Sequence, residues 1–299
     1  MNTRQFEQAI EKFTSLKDYE SSEALLRRCE KLLEEDEEVL YPILNEQSIS
    51  EVYEGGILYY CKYGPLYVPN EVDSSTGFML YHSGGGGAED YLYYKGLYPY
   101  FEDYSPNAVM LFCNNSGYDI LKGKNESCYK LLSQVAKELG ITLHDLSLVG
   151  SSQGCFTALK AAYQFYVNHE LAAVCVVTLD TGMEWIDPAN LNEEECLKIA
   201  EAGTVFYLFE QADTGMNVEE IRLFVESGIE TYLVACAEKQ HNTISVNAYK
   251  YGIFDWSVGE DIELPPWQYT FIKLEPGMED NGEVSWAENP NPTPTVYWW

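Results

Sequence analysis

Ser152 sits at the centre of Gly150-Ser151-Ser152-Gln153-Gly154, a G-x-S-x-G pattern. The run before it, Leu146-Ser147-Leu148-Val149, reads as a strand. The run after it, Cys155 to Tyr163, is a good helix former. Strand, sharp turn and helix in that order bring two backbone segments close together, so glycine is wanted on both sides of the serine. The turn lifts the Ser152 hydroxyl to the tip of the strand at the start of a helix, the placement of a nucleophile. Ser151 is not the candidate, because only Ser152 is centred between the two glycines. A second stretch with chemical meaning is His82-Ser83-Gly84-Gly85-Gly86-Gly87, which follows the apolar run Phe78-Met79-Leu80-Tyr81. A run of glycines costs chain entropy and needs a reason. A phosphate loop would need Gly-Lys-Ser/Thr, which does not follow, or G-x-G-x-x-G, which fails because Glu89 occupies the last position. The other option is a loop of bare backbone N–H groups aimed at a developing oxyanion, each worth roughly 10²–10³ in rate. His82 reads as a structural hydrogen-bonding residue rather than a catalytic base.

These stretches need a scaffold. From residue 77 apolar strands alternate with helices: strands at 78–81, 108–112, 146–149, 172–177, 205–209 and 231–235, helices at about 124–140, 153–168, 190–202, 217–228 and 242–251. Continuous apolar runs are strands covered on both faces, so the fold class is α/β: a mostly parallel central sheet with helices on both faces. Active sites in such sheets lie beyond the carboxyl ends of the strands. Ahead of them, 56–63 and 66–68 around Gly64-Pro65 read as a β-hairpin. Residues 1–40 read as two helices, with Phe6, Ile10 and Phe13 on one face and Ala24, Leu25, Cys29, Leu32 and Leu33 on another. Their spacing resembles a single tetratricopeptide-type pair. One such unit cannot bury its face alone, so it docks on the main domain or offers residues 1–40 to a protein partner. The expected division is a helical N-terminal extension, 1–48, and the α/β domain with its tail, 49–299. The tail from about 262 is broken by Pro265-Pro266, Pro276-Gly277 and Pro290-Asn291-Pro292. Trp267, Trp286, Trp298 and Trp299 lie there and are expected to pack back on the body.

Lys and Arg total 18 against 48 Asp and Glu, a formal charge of -30. Nucleic acid and anionic membranes both need Lys/Arg to replace counterions, so neither is an expected partner. The 8 cysteines form no C-x-x-C and no Cys/His spacing suited to zinc. Cys113, Cys175 and Cys236 fall within apolar runs, where a thiol behaves as a small hydrophobe. Met1 to Glu7 lacks the apolar core of a signal peptide, and the longest apolar run, about 171–177, is too short for a bilayer. The expectation is a reduced, cytoplasmic protein with no cofactor and no metal.

The elbow, the glycine loop and the strand order together resemble the α/β-hydrolase family, over about residues 56–260. The resemblance implies an acid after the strand 205–209 and a histidine after the strand 231–235. Asp213, in Glu210-Gln211-Ala212-Asp213-Thr214-Gly215, stands where the family's acid stands. His241, in Glu238-Lys239-Gln240-His241-Asn242, matches the base. Among the other histidines, His144 precedes a strand on the wrong side of the sheet, and His169 ends the helix after the elbow. Asp180 also ends a strand and is the alternative acid. The family's chemistry would have His241 take the Ser152 proton and Asp213 hold the imidazole tautomer. The Gln153 N–H, with one from Gly84, Gly85 or Gly86, would bind the oxyanion.

The resemblance implies a serine hydrolase acting on a small-molecule acyl substrate: an ester, thioester or small amide. An acyltransferase with the same triad and a non-catalytic binding module of the same fold are the alternatives. Two Asp-Thr-Gly triplets, at 180–182 and 213–215, also invite an aspartic-protease reading. Their closeness inside an alternating strand-helix pattern opposes it, since that fold is all-β. Tyr91, Tyr93, Tyr94, Tyr98 and Tyr100 follow the glycine loop and either rim the site or pack.

Overall fold

The computed structural model describes residues 43–44, 50–61, 63–84, 98–113, 124–179, 191–211, 218–236, 243–266 and 268–276. The helical pair of 1–40 and the tail tryptophans lie outside the described residues.

Strands β1 (Ser50–Val52), β2 (Gly56–Cys61), β3 (Gly64–Pro69), β4 (Gly77–His82), β5 (Ala108–Cys113), β6 (Leu146–Ser151), β7 (Ala173–Leu179), β8 (Val205–Gln211), β9 (Thr231–Cys236) and β10 (Tyr269–Lys273) form one sheet. Its order is β1-β2-β3-β5-β4-β6-β7-β8-β9-β10. Every pairing from β5 across to β9 is parallel. The β1-β2-β3 end joins β5 antiparallel, and β10 joins β9 antiparallel.

The strands show why the sequence builds this sheet. Along β4, Phe78 and Leu80 enter one core while Met79 and Tyr81 enter the other. Along β5, Val109 and Leu111 alternate in the same way with Met110 and Phe112. A strand apolar on both sides stays in the middle of three layers, because burying each large side chain stabilises by about 1.5–3 kcal/mol. Helices α2 (Lys124–Leu139), α3 (Gly154–His169), α4 (Glu193–Ala202) and α5 (Val218–Glu226) contribute to the first core. Helices α1 (Tyr98–Asp103), α6 (Thr243–Tyr251) and α7 (Ile253–Ser257) contribute to the second. Helix α3 buries Ala158, Leu159, Ala161, Ala162 and Phe165, the spacing of one helical face. Helix α4 starts in a capping box between Asn192 and Glu195 and stops at Gly203, whose φ of 76° suits a left-handed cap.

The observed α/β class, with a mostly parallel sheet covered on both faces, agrees with the sequence reading, and so does the hairpin of β2 and β3. The structure adds β1, β10, α1 and α7. Strand β10 lies between Pro265-Pro266 and Pro276-Gly277, where the sequence suggested only broken chain. Five residues are too few to carry a clear period, and the open edge of β9 selects them by pairing. Cys61, Cys113, Cys128, Cys155, Cys175, Cys196 and Cys236 are all buried thiols. Among the described residues, no helix is long and apolar enough to cross a membrane.

Candidate active site

The strand order creates a crevice at one place. From β4 the chain crosses to β5 on one side, and from β6 it crosses to β7 on the other. The helix after β4, α1, lies on the second face, while the helix after β6, α3, lies on the first. The helices that follow β4 and β6 therefore lie on opposite faces, the arrangement in which an open α/β sheet carries a crevice beyond its carboxyl ends. His82 and Gly150 are register partners at that point. The two stretches singled out by residue type thus emerge side by side.

Ser152 follows the last residue of β6 with φ of 50°, a left-handed conformation that side chains with a Cβ seldom adopt. Holding it costs on the order of 1–2 kcal/mol, so the surroundings must over-determine it. The Ser152 N–H donates to the Leu179 carbonyl at 2.8 Å, and its carbonyl accepts from the Cys155 N–H at 3.1 Å. The Cys155 thiol reaches the Gly150 carbonyl at 3.2 Å from inside the turn. The flanking glycines are required by contact. A Cβ at Gly150 would stand 2.5 Å from the Cys155 Cα, and one at Gly154 would run into the His82 and Ser83 carbonyls. Gln153 opens α3 with φ of -59° and ψ of -25°, and no side-chain cap closes that helix end. The unclosed N–H groups of a helix N-terminus favour developing negative charge there.

Gly84 completes the described part of the crevice. A Cβ on it would stand 3.0 Å from Ser152 Cβ, 3.2 Å from the Ser151 carbonyl oxygen and 3.7 Å from Ser152 Oγ. Only a residue without a side chain brings its backbone this close to the hydroxyl. The loop is tied down from behind, where the Ser83 N–H donates to the Cys113 carbonyl at 3.2 Å. His82 is fully buried at the end of β4.

The two adjacent serines are in different environments. Ser151 is fully buried, and its hydroxyl is 2.5 Å from that of Ser245 in the first turn of α6. Ser152 is half-buried at the turn. Nothing in the sequence marked Ser245, which pairs with Ser151 across 94 residues.

The remaining sequence candidates fall as follows. Gly85, Gly86, Asp180, Asp213 and His241 lie outside the described residues, as do Tyr91, Tyr93 and Tyr94. The ends that flank them are described. Leu179, Gln211 and Cys236 finish β7, β8 and β9 on the edge of the sheet that carries Ser152. Tyr100 is a packing residue. It is buried and donates to Asp255 at 2.7 Å, within a cluster of Tyr67, Phe101, Tyr104 and Phe254. His144 bonds Asp145 and the Ser74 carbonyl at the amino end of β6, and His169 pairs with Glu126 and stacks on Tyr129. Both are away from the crevice. Among the described residues no group of three or more His, Cys, Asp or Glu is arranged to hold a metal ion.

No protein-family model matches the chain, and no curated protein matches it in sequence. Solved structures similar to it include carboxyl esterase 2 of the mycorrhizal fungus Tuber melanosporum. That pair has 13% identity and a TM-score of 0.49, over 75% of this chain and 90% of the esterase. An esterase of Rhizomucor miehei is similar at 14% identity and a TM-score of 0.43, over 70% of this chain and 80% of that one. The metagenomic carboxylesterase EstE1 is similar at 13% identity and a TM-score of 0.43, over 74% and 89%. The α/β assignment itself stands on the strand order and register of this chain.

Proposed function

We propose that this protein is a serine hydrolase that cleaves an ester or a related acyl bond through a covalent acyl-enzyme. The observation that carries the reading is the meeting of Ser152, held at φ of 50° on a strand-to-helix turn, with the glycine loop at Gly84. A serine hydroxyl is a weak nucleophile until a base takes its proton. His241 is the base in this reading, and Asp213 orients it, as the family resemblance implies. Ser152 Oγ attacks the acyl carbonyl while its proton passes to His241. The resulting oxyanion is held by the Gln153 N–H and an N–H from the loop of Gly84, Gly85 and Gly86. His241 then protonates the leaving group, and water, activated by the same imidazole, releases the acid.

The chain connectivity favours His241. Cys236 ends β9, three strands from β6, and Ser245 touches Ser151 at the end of β6. In the chain, His241 lies between these two described ends.

A fluorophosphonate probe tests the reading. The wild type is expected to take a covalent label at Ser152, with parallel loss of activity on a panel of acyl esters of varied chain length. Equal labelling of Ser152→Ala would overturn it. Release of free acid without an added acceptor separates a hydrolase from an acyltransferase.

A further inference from the structure

Strand β6 is hooked to the α6–α7 layer at both ends. At its start the Ser147 hydroxyl donates to the Ser257 carbonyl, and at its end the Ser151 hydroxyl bonds that of Ser245. Ser147, Val149 and Ser151 occupy alternate positions, so all three face that layer. The second hook lies one residue from Ser152. The carbonyl of Ser151 also abuts the glycine loop, 3.2 Å from where a Cβ of Gly84 would be.

We propose that Ser245 is a positioning residue. Through the Ser151 hydroxyl it fixes the separation and rotation of α6 against the elbow that presents Ser152. The proposal rests on the hydrolase reading, in which His241, four residues ahead of Ser245, supplies the base.

Stability alone does not require this pair. Ser151 and Ser245 are both fully buried, and two apolar groups of the same shape would pack there at little or no cost. A hydrogen bond adds direction. Apolar surfaces slide over each other, whereas two hydroxyls hold one distance and one orientation. The neighbouring Ile244 and Ala248 are apolar members of the core and supply the adhesion of α6. Reacting groups misplaced by about an ångström lose on the order of 10²-fold in rate, so a partial loosening is expected to cost roughly 10-fold.

The test is a double-variant cycle of Ser151→Ala, Ser245→Ala and the two combined. It is read as kcat, KM, the rate of fluorophosphonate labelling at Ser152, and Tm. Alanine is a strong helix former, so the substitution leaves α6 itself intact. Each single variant removes one member of the buried pair, and its Tm should fall. The double variant removes both hydroxyls together, and its Tm loss should be smaller than the sum of the two single losses. Each single variant is expected to lower kcat and labelling roughly 10-fold with KM within about 2-fold of wild type. The double should stay about 10-fold slow although its Tm loss is smaller than that sum. A merely structural pair would return rate together with Tm in the double, and that result overturns the proposal. So does wild-type labelling in either single, or a double that loses about 100-fold. Absence of label in the wild type would sink the hydrolase reading and this proposal together; equal labelling of wild type and Ser245→Ala sinks the proposal alone.

Discussion

At the scale of single residues, the site is built from conformations and contacts that few residue types tolerate. Ser152 is one of three described non-glycine residues with positive φ. The other two, Asp145 and Glu170, sit in the turn before β6 and in the left-handed cap of α3. Ser152 alone has a strand on one side, a helix on the other and a glycine against its Cβ. On the hydrolase reading, Ser152→Ala should lower kcat by roughly 10⁴–10⁶ while leaving Tm near wild type, measured by ester turnover and thermal unfolding. Gly84→Ala should also fold, because the clash is with a side-chain Cβ at 3.0 Å and a carbonyl at 3.2 Å. It should slow labelling of Ser152 by roughly 10–100-fold, since it pushes an N–H-bearing backbone away from the reacting centre.

At the scale of elements, the close passage of α3 behind β4 and the layering of α1, α6 and α7 decide stability. A methyl group at Gly154 would meet the backbone carbonyls of His82 and Ser83, which cannot rotate away as a side chain can. Gly154→Ala should therefore destabilise by about 3 kcal/mol or more, visible as a lower denaturation midpoint in urea. On the opposite face, Asp255 of α7 is buried beneath Tyr100 of α1. Burial pushes the Asp255 carboxyl up to about 6, against the Tyr100 hydroxyl, which donates to it and pulls the other way. Burial beside Asp255 likewise raises the Tyr67 phenol to about 12. A carboxyl raised in the folded state contributes its full stability below its unfolded value of 3.8 and loses it as pH rises through about 6. Asp255→Asn keeps an acceptor for Tyr100 and removes the titration. Relative to this variant, the wild type should lose about 1–2 kcal/mol between pH 5 and pH 7, measured by urea unfolding at each pH.

At the scale of the whole molecule, the chain that carries the crevice has a net charge of -30. Encounter with an anionic ester is then opposed over a distance set by the Debye length, about 10 Å at 0.1 M salt. Raising ionic strength from about 0.01 to 0.5 M should raise kcat/KM for an anionic ester and leave that for a neutral ester of the same leaving group nearly unchanged. Equal salt dependence for the two would show that the field does not reach the crevice.

Much of this molecule is legible in its sequence, because the strongest signals are local. The apolar runs at 78–81, 108–112, 146–149 and 231–235 each became a strand within a residue or two, since burial on both faces demands continuous apolar chain. The pattern Gly150-Ser151-Ser152-Gln153-Gly154 foretold its turn, because steric exclusion of a Cβ is written directly as glycine. The rest depended on partners far away in the chain. Strand β10 exists because β9 offered an unpaired edge, and Tyr100 proved to be core because α7 closes over it. The tertiary fold also sets the surroundings of the two serines, which the glycine spacing had already told apart: it draws Ser151 inward to Ser245, 94 residues on, and leaves Ser152 at the turn beside Gly84. Residue type and spacing set local conformation, whereas a contact between distant segments is chosen by the packing of the whole sheet.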